Sequence, residues 1–214
     1  MLQGIPQKLI HDFVTIYPGV STEPNVEIFE GAVVGKPPSP TKAISRPILS
    51  NNGEVFIGKN CVIGAHAVIY QDCVIGEDTL IGDGAYIREG ARIGKRCVIA
   101  RITMNYNTTV GDDTKIMNLV VIAGNTIIGS HVFIGPHVAT VNDNSLGKSG
   151  YNEVGIKGPT IEDYARIGAG AILLPAVRIC AHALVGAGSV VTRDVPPGKV
   201  VMGAPARIVK DVQA

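Results

Sequence analysis

The sequence predicts an all-β chain wound as a parallel solenoid of short strands, and three observations carry that prediction. Isoleucine stands at positions 57, 63, 69, 75, 81, 87, 93 and 99, an unbroken spacing of six. Glycine follows five of these anchors, at Gly58, Gly64, Gly76, Gly82 and Gly94. A small residue sits four places after the first seven: Cys61, Ala67, Cys73, Thr79, Ala85, Ala91 and Cys97. A period of six keeps no single stripe on a helix of 3.6 residues per turn. It suits a coil in which each hexapeptide, a strand plus a turn, makes one side of a triangle.

The elements follow in chain order. Residues 1–13 read as an irregular cap or short helix, and a weaker form of the period runs through Val14, Val20, Val26 and Ala32. Pro, Ser and Asn break the pattern over 36–53, which predicts a loop. The period resumes at Ile57, slips by one residue near Asn105, and continues through Val110, Ile116, Ile122, Ile128 and Ile134. A second loop is expected over 139–158, and the period returns at Ile161, Ile167, Leu173, Ile179, Val185 and Val191. The expectation is one domain over 1–195 and a tail over 196–214. Coils of three hexapeptides number about eight and stack to roughly 40 Å at the inter-strand spacing.

Each branched anchor should point to the prism axis, with the small residue sharing the interior. Glycine after the anchor suits a turn with positive φ or a close backbone approach. Cys61, Cys73 and Cys97 hold the small inward position and read as core filler. Cys180 alone stands outside that register. Net charge is +1 over 214 residues, with no long basic run, so nucleic acid and anionic membrane are not the default partners. No 18-residue apolar stretch and no secretory leader are evident, which reads as a soluble cytoplasmic protein.

The C-terminal run is the most specific. Ile167-Gly168-Ala169-Gly170-Ala171, Val185-Gly186-Ala187-Gly188-Ser189 through Pro197, and Gly203-Ala204-Pro205-Ala206-Arg207 resemble the end of hexapeptide acyltransferases that use acetyl-CoA. The resemblance implies a left-handed parallel β-helix, a homotrimer, and a site between subunits. It also implies that Ala169 and Ala187 line the pantetheine arm of CoA, that Thr192 and Arg193 approach its later part, and that Arg207 and Lys210 lie near its phosphates. Small residues do let a thin chain lie against a coil, and paired cations suit phosphate.

A second stretch, Gly135-Pro136-His137 through Asn142-Asp143 and then Lys157-Gly158, is similar to nucleotide-sugar N-acetyltransferases. There a Thr-Asn-Asp segment opens the loop; here Thr140-Val141-Asn142-Asp143 carries one extra residue. Asn142 and Asp143 are candidates to hold an amine, or else an Asx turn that starts the loop. His137 is the candidate base among the turn histidines His66, His131, His137 and His182. Sugar O-acetyltransferases of this superfamily place a His nine residues after the turn Pro, where Ser145 stands here. This favours an amine acceptor on a nucleotide-linked amino sugar, with O-acetylation or transfer of another acyl group as the alternative. A zinc-dependent carbonic anhydrase needs three converging histidines, and no trio stands out by spacing. A pure scaffold has no need of the loop or the tail.

Overall fold

In the computed structural model the described residues are 10–40, 53–148 and 156–213, and all regular structure among them is β. The strands stack into three sheets of nine, eight and ten members. Sheet 1 runs from Thr15–Ile16 to Val190–Val191, sheet 2 from Val20–Thr22 to Arg178–Ile179, and sheet 3 from Glu27–Ile28 to the C-terminal strand Arg207–Asp211. The chain passes from sheet 1 to 2 to 3 and back, one strand at a time, and nearly every pairing is parallel with the strand one coil on. The prism therefore has about nine coils, slightly more than the period suggests.

The isoleucines at 57 to 99 are at most 3 % exposed, and the small positions from Cys61 to Cys97 at most 1 %. Polar members of the small set satisfy themselves on the backbone. Thr79 Oγ donates to Gly94 O at 3.0 Å, and Thr114 Oγ to Gly129 O at 2.8 Å. The cysteines behave the same way: Cys73 Sγ lies 3.3 Å from Arg88 O, and burial pushes its thiol up to about 12, which leaves it inert.

Several sequence expectations need correction. In the first coils the anchors are Ile28 and Val34, with Ile16 and Thr22 before them, so Val14, Val20, Val26 and Ala32 hold the small phase. The slip lies between Ile99 and Met104, whose buried side chain takes the anchor after a turn shortened by one residue. Thr140 is a further anchor, 4 % exposed, held by the Ala123 N–H on its Oγ at 2.7 Å. The expected tail adds Lys199–Met202 in parallel to sheet 3 and Arg207–Asp211 antiparallel at its edge. Residues 1–9, 41–52 and 149–155, with most of the expected cap and parts of both loops, lie outside the described residues.

Of the two reasons for glycine after the anchor, close approach is the one at work. Gly58, Gly64, Gly76, Gly82 and Gly94 do not have positive φ. A Cβ on Gly76 would lie 2.6 Å from the backbone carbon of Gly94 in the next coil. Positive φ falls two places later, at Asn60, His66, Asp72, Asp78, Gly84, Gly90 and Arg96. Asn, Asp and His tolerate that conformation better than most residues, which accounts for His66, His131, His137 and His182 all sitting there.

Ile75→Asp or Ile128→Asp should cost on the order of 4 kcal/mol in denaturant unfolding, because an unpaired charge enters a dry axis. Cys73→Ala should cost only about 1 kcal/mol. Gly76→Ala should fall between them, since the neighbouring coil must move.

Candidate functional site

The three edges of the prism differ. Where sheet 2 turns to sheet 3, the residue after the anchor is glycine at Gly58, Gly76, Gly94, Gly111 and Gly129; where sheet 3 turns to sheet 1, it is glycine at Gly64, Gly82, Gly135, Gly168 and Gly186. Where sheet 1 turns to sheet 2, the same slot holds Tyr70, Arg88, Asn105, Ala123, Val141, Leu174 and Thr192. Both long interruptions leave from this edge, after Val33–Lys36 and after Ala139–Thr140. The signal is in the sequence: glycine is missing after Ile69 and Ile87, one full coil apart, although it is also missing after Ile99, where Ala100 stands on another edge.

Asn142 and Asp143 stand at this loop edge. Asn142 Nδ2 donates to Gly124 O at 3.1 Å, and Lys157 N donates to Asn142 O at 2.9 Å, so the neck of the loop closes on itself. The ring of Tyr106 covers Gly124, where an added Cβ would sit 2.7 Å from Cζ. Asp143 Oδ1 accepts the Ser145 N–H and Oδ2 the Gly147 N–H, both at 2.7 Å. The Ser145 hydroxyl and these two N–H groups hold the Asp143 carboxyl below its usual value. Asp143 is thus an Asx-type organiser of the loop, and Ser145 is one of its partners.

His137 is exposed on the opposite edge of sheet 1, where sheet 3 turns into it. The strand Ala139–Thr140 separates it from Asn142 by five residues, roughly 16 Å of extended chain. One chain therefore brings Asn142 and Asp143 together and keeps His137 apart from them. His131 and His182 belong to neither edge: they stack on the two faces of Tyr164, with centroids 4.7 and 4.8 Å apart.

Above His137 the corner is bare. Gly170 N donates to Pro136 O at 2.9 Å and Gly188 N to Ala169 O at 2.8 Å, which stacks Pro136-His137, Ala169-Gly170 and Ala187-Gly188 in register. A Cβ on Gly188 would meet nothing within 4 Å, and Ala169, Gly170, Ala187 and Gly188 are all exposed. These glycines serve a positive φ (+68° and +67°), and they leave an open track of backbone. The track ends at the C-terminal hairpin. Residues three apart on a regular strand face opposite ways, but the pairing shifts between Val200 and Val201. Arg207 then lies opposite Met202 and Lys210 opposite Val200, so both cations share one face. Thr192 and Arg193 lie on the loop edge, and Arg193 and Arg207 both line a cavity of about 280 Å³ together with Val191, Asp194 and Ala206.

Comparison with known proteins matches residues 158–193 to the family described as bacterial transferase hexapeptide (six repeats), and residues 51–148 to the GMPPB C-terminal domain. A 2,3,4,5-tetrahydropyridine-2,6-dicarboxylate N-acetyltransferase of Staphylococcus aureus is 52 % identical over 50 residues, 23 % of this chain and 21 % of that protein. The chain thus spans about a fifth of the length of the curated relatives it matches. A hexapeptide-repeat-containing acetyltransferase from Vibrio cholerae has 28 % identity over 65 % of this chain and 74 % of that one, with a TM-score of 0.48. The UDP-N-acetylglucosamine acyltransferase of Francisella novicida has 22 % identity over 94 % and 70 %, also at 0.48.

The loop cap carries its own pH signature. A carboxyl with a depressed folded value contributes order above the unfolded aspartate value and loses it as pH falls through the folded one. The Ser145 and Gly147 amides should therefore stay protected from hydrogen exchange at pH 4 and lose protection below the ordinary 3.8. Asp143→Asn should abolish that step, as followed by NMR.

Proposed function

We propose that this chain, which belongs to the hexapeptide-repeat superfamily, is an acetyl-CoA-dependent N-acetyltransferase acting on a nucleotide-linked amino sugar. The observation that carries the proposal is the bare corner running from His137 past Gly170 and Gly188 to Arg207 and Lys210. It offers a thin acyl-carrier arm exposed backbone groups and its phosphates a cationic end. The 50-residue match to an N-acetyltransferase supports the same reading.

In this reading the neutral amine attacks the thioester carbonyl, the tetrahedral intermediate collapses, and CoA leaves as thiolate. The ammonium proton passes to a base, ultimately reaching the thiolate or solvent. Backbone N–H groups of the bare corner stabilise the oxyanion. An amine needs less activation than an alcohol, which fits Ser145 serving Asp143 within the loop. Asn142 and Asp143 hold the amine from one chain, and His137 comes from a neighbour, because one chain separates them across sheet 1.

That separation supports a homotrimer with its sites between subunits. The outward residues of sheet 1 are Thr15, Val33, Val68, Tyr86, Thr103, Val121, Ala139, Ile172 and Val190, with no charge in nine coils. Sheets 2 and 3 carry Arg92, Arg178, Lys115 and Arg166 in the same position. An uncharged face flanked by the loop edge and the bare corner suits a second copy.

Three outcomes are expected. Thiol release from acetyl-CoA should proceed with a nucleotide sugar in its amino form and be at least tenfold slower with the matching hydroxy form; equal rates would turn the reading to O-acetylation. Arg207→Ala and Lys210→Ala should each weaken CoA binding about tenfold by calorimetry. Val121→Arg should shift the protein from trimer to monomer in sedimentation and remove activity while the isolated coils stay folded by circular dichroism.

A further inference from the structure

The bare corner has a lower end, and that end is apolar. Where sheet 3 turns to sheet 1, the turns from below upward are Met117-Asn118-Leu119, Gly135-Pro136-His137, Gly168-Ala169-Gly170 and Gly186-Ala187-Gly188. One bond repeats at each step: His137 N donates to Asn118 O at 3.1 Å, Gly170 N to Pro136 O at 2.9 Å, and Gly188 N to Ala169 O at 2.8 Å. Met117 therefore holds the slot that is glycine in the three coils above. Leu119 holds the slot of His137, Gly170 and Gly188.

Leu119 is a costly residue for its place. Its φ is +61°, in the left-handed region that Gly, Asn, Asp and His tolerate and an aliphatic side chain tolerates poorly. The residue is 51 % exposed, so burial does not fully offset that cost. Strain of this kind collects at functional sites. The next turn down, Ala100-Arg101, is one residue shorter, and Arg101 does not have a positive φ. The run of left-handed positions that carries the bare corner thus begins at Leu119.

Side chains in this slot line up from coil to coil. Where sheet 2 turns to sheet 3, the same slot holds His131, Tyr164 and His182, whose rings stack 4.7 and 4.8 Å apart. By the same register Leu119 stands one coil, about 4.8 Å, below His137. From the His137 turn up to the strand Lys199–Met202 is three coil steps along sheet 3, roughly 14 Å.

We propose that Leu119, backed by the half-buried Met117, is the floor beneath the acyl group and limits the transferred group to acetyl. This rests on the acetyl-transfer reading, in which the phosphates sit at Arg207 and Lys210 and the thioester lies beside His137. The acyl chain then continues past the carbonyl toward Leu119. A methyl group fits in the single coil step that remains. A longer chain meets the leucine or turns out into water, and either outcome weakens binding.

Calorimetry on the full chain with CoA, acetyl-CoA and butyryl-CoA tests the floor without an acceptor. Each protein is read by its own ratio of acyl-CoA to CoA affinity. The wild type should bind butyryl-CoA at least about tenfold more weakly than acetyl-CoA. Leu119→Gly suits the positive φ and removes the floor, and should bring the two esters to within about threefold. Leu119→Asn also suits the positive φ but keeps the bulk, and should discriminate as the wild type does. Circular dichroism checks that both variants are folded. Equal affinity for the two esters in the wild type overturns the floor however the variants behave. So does unchanged discrimination in Leu119→Gly. Loss of discrimination in Leu119→Asn as well as in Leu119→Gly assigns the leucine to the shape of the turn and overturns it too. All three results leave the acetyl-transfer reading standing. A wild type that binds none of the three ligands overturns that reading, and the floor with it.

Discussion

Everything in this molecule depends on one repeated contact, a branched aliphatic stacked on its equivalent one coil away. Ile57 sits over Ile75, Ile75 over Ile93, and Ile93 over Val110, in unbroken register along sheet 2. Parallel pairing fixes the stack at the inter-strand spacing, so each coil is held by its two neighbours and by nothing further away. A coil cannot bury its anchor alone. Stability is therefore shared along the prism, and each coil's outward positions are free to vary.

The corners are where that freedom is spent. Coils stack so closely at two edges that a Cβ would enter the next backbone at 2.5 to 2.8 Å, as at Gly58, Gly76 and Gly168. At those positions close packing selects glycine, whereas Ala100, Met117, Glu162 and Cys180 take the same slot in other coils. The third edge admits Tyr70, Arg88 and Asn105 in the same slot, and it also releases both long loops. Among the described residues the three faces are flat stacks of short strands, so the edges are where side chains and backbone vary. The side-chain-bearing edge supplies hydrogen-bonding groups, and the bare corner at His137 supplies backbone.

The two loop candidates, a carboxamide and a carboxylate, are both held by bonds within the loop and to its neck. Asp143 spends both oxygens on the amides of Ser145 and Gly147, and Asn142 bonds back to Gly124. These bonds hold the pair in place at the neck of the loop. Carboxylate oxygens have more than one lone pair each, so a held Asp143 can still accept from an amine.

The sequence by itself determined the period, the inward register and the burial of Cys61, Cys73 and Cys97, because each is a strictly local repeat in which every sixth residue meets its own kind. It also marked the Arg207 and Lys210 pair, though on a regular strand their spacing would set them on opposite faces. Only the tertiary structure decided what depended on counting coils. The extra residue Val209, opposite the Val200–Val201 step, sets Arg207 opposite Met202 and Lys210 opposite Val200, which puts the two cations on one face. A five-residue step from Ile99 to Met104 keeps the anchors in phase. The three-fold winding decides which residues share an edge: it unites Lys36, Tyr70 and Arg88, which are far apart in the chain, and divides His137 from Asn142, which are near. Sequence distance along a solenoid measures progress around the triangle, and spatial proximity returns only after a full coil.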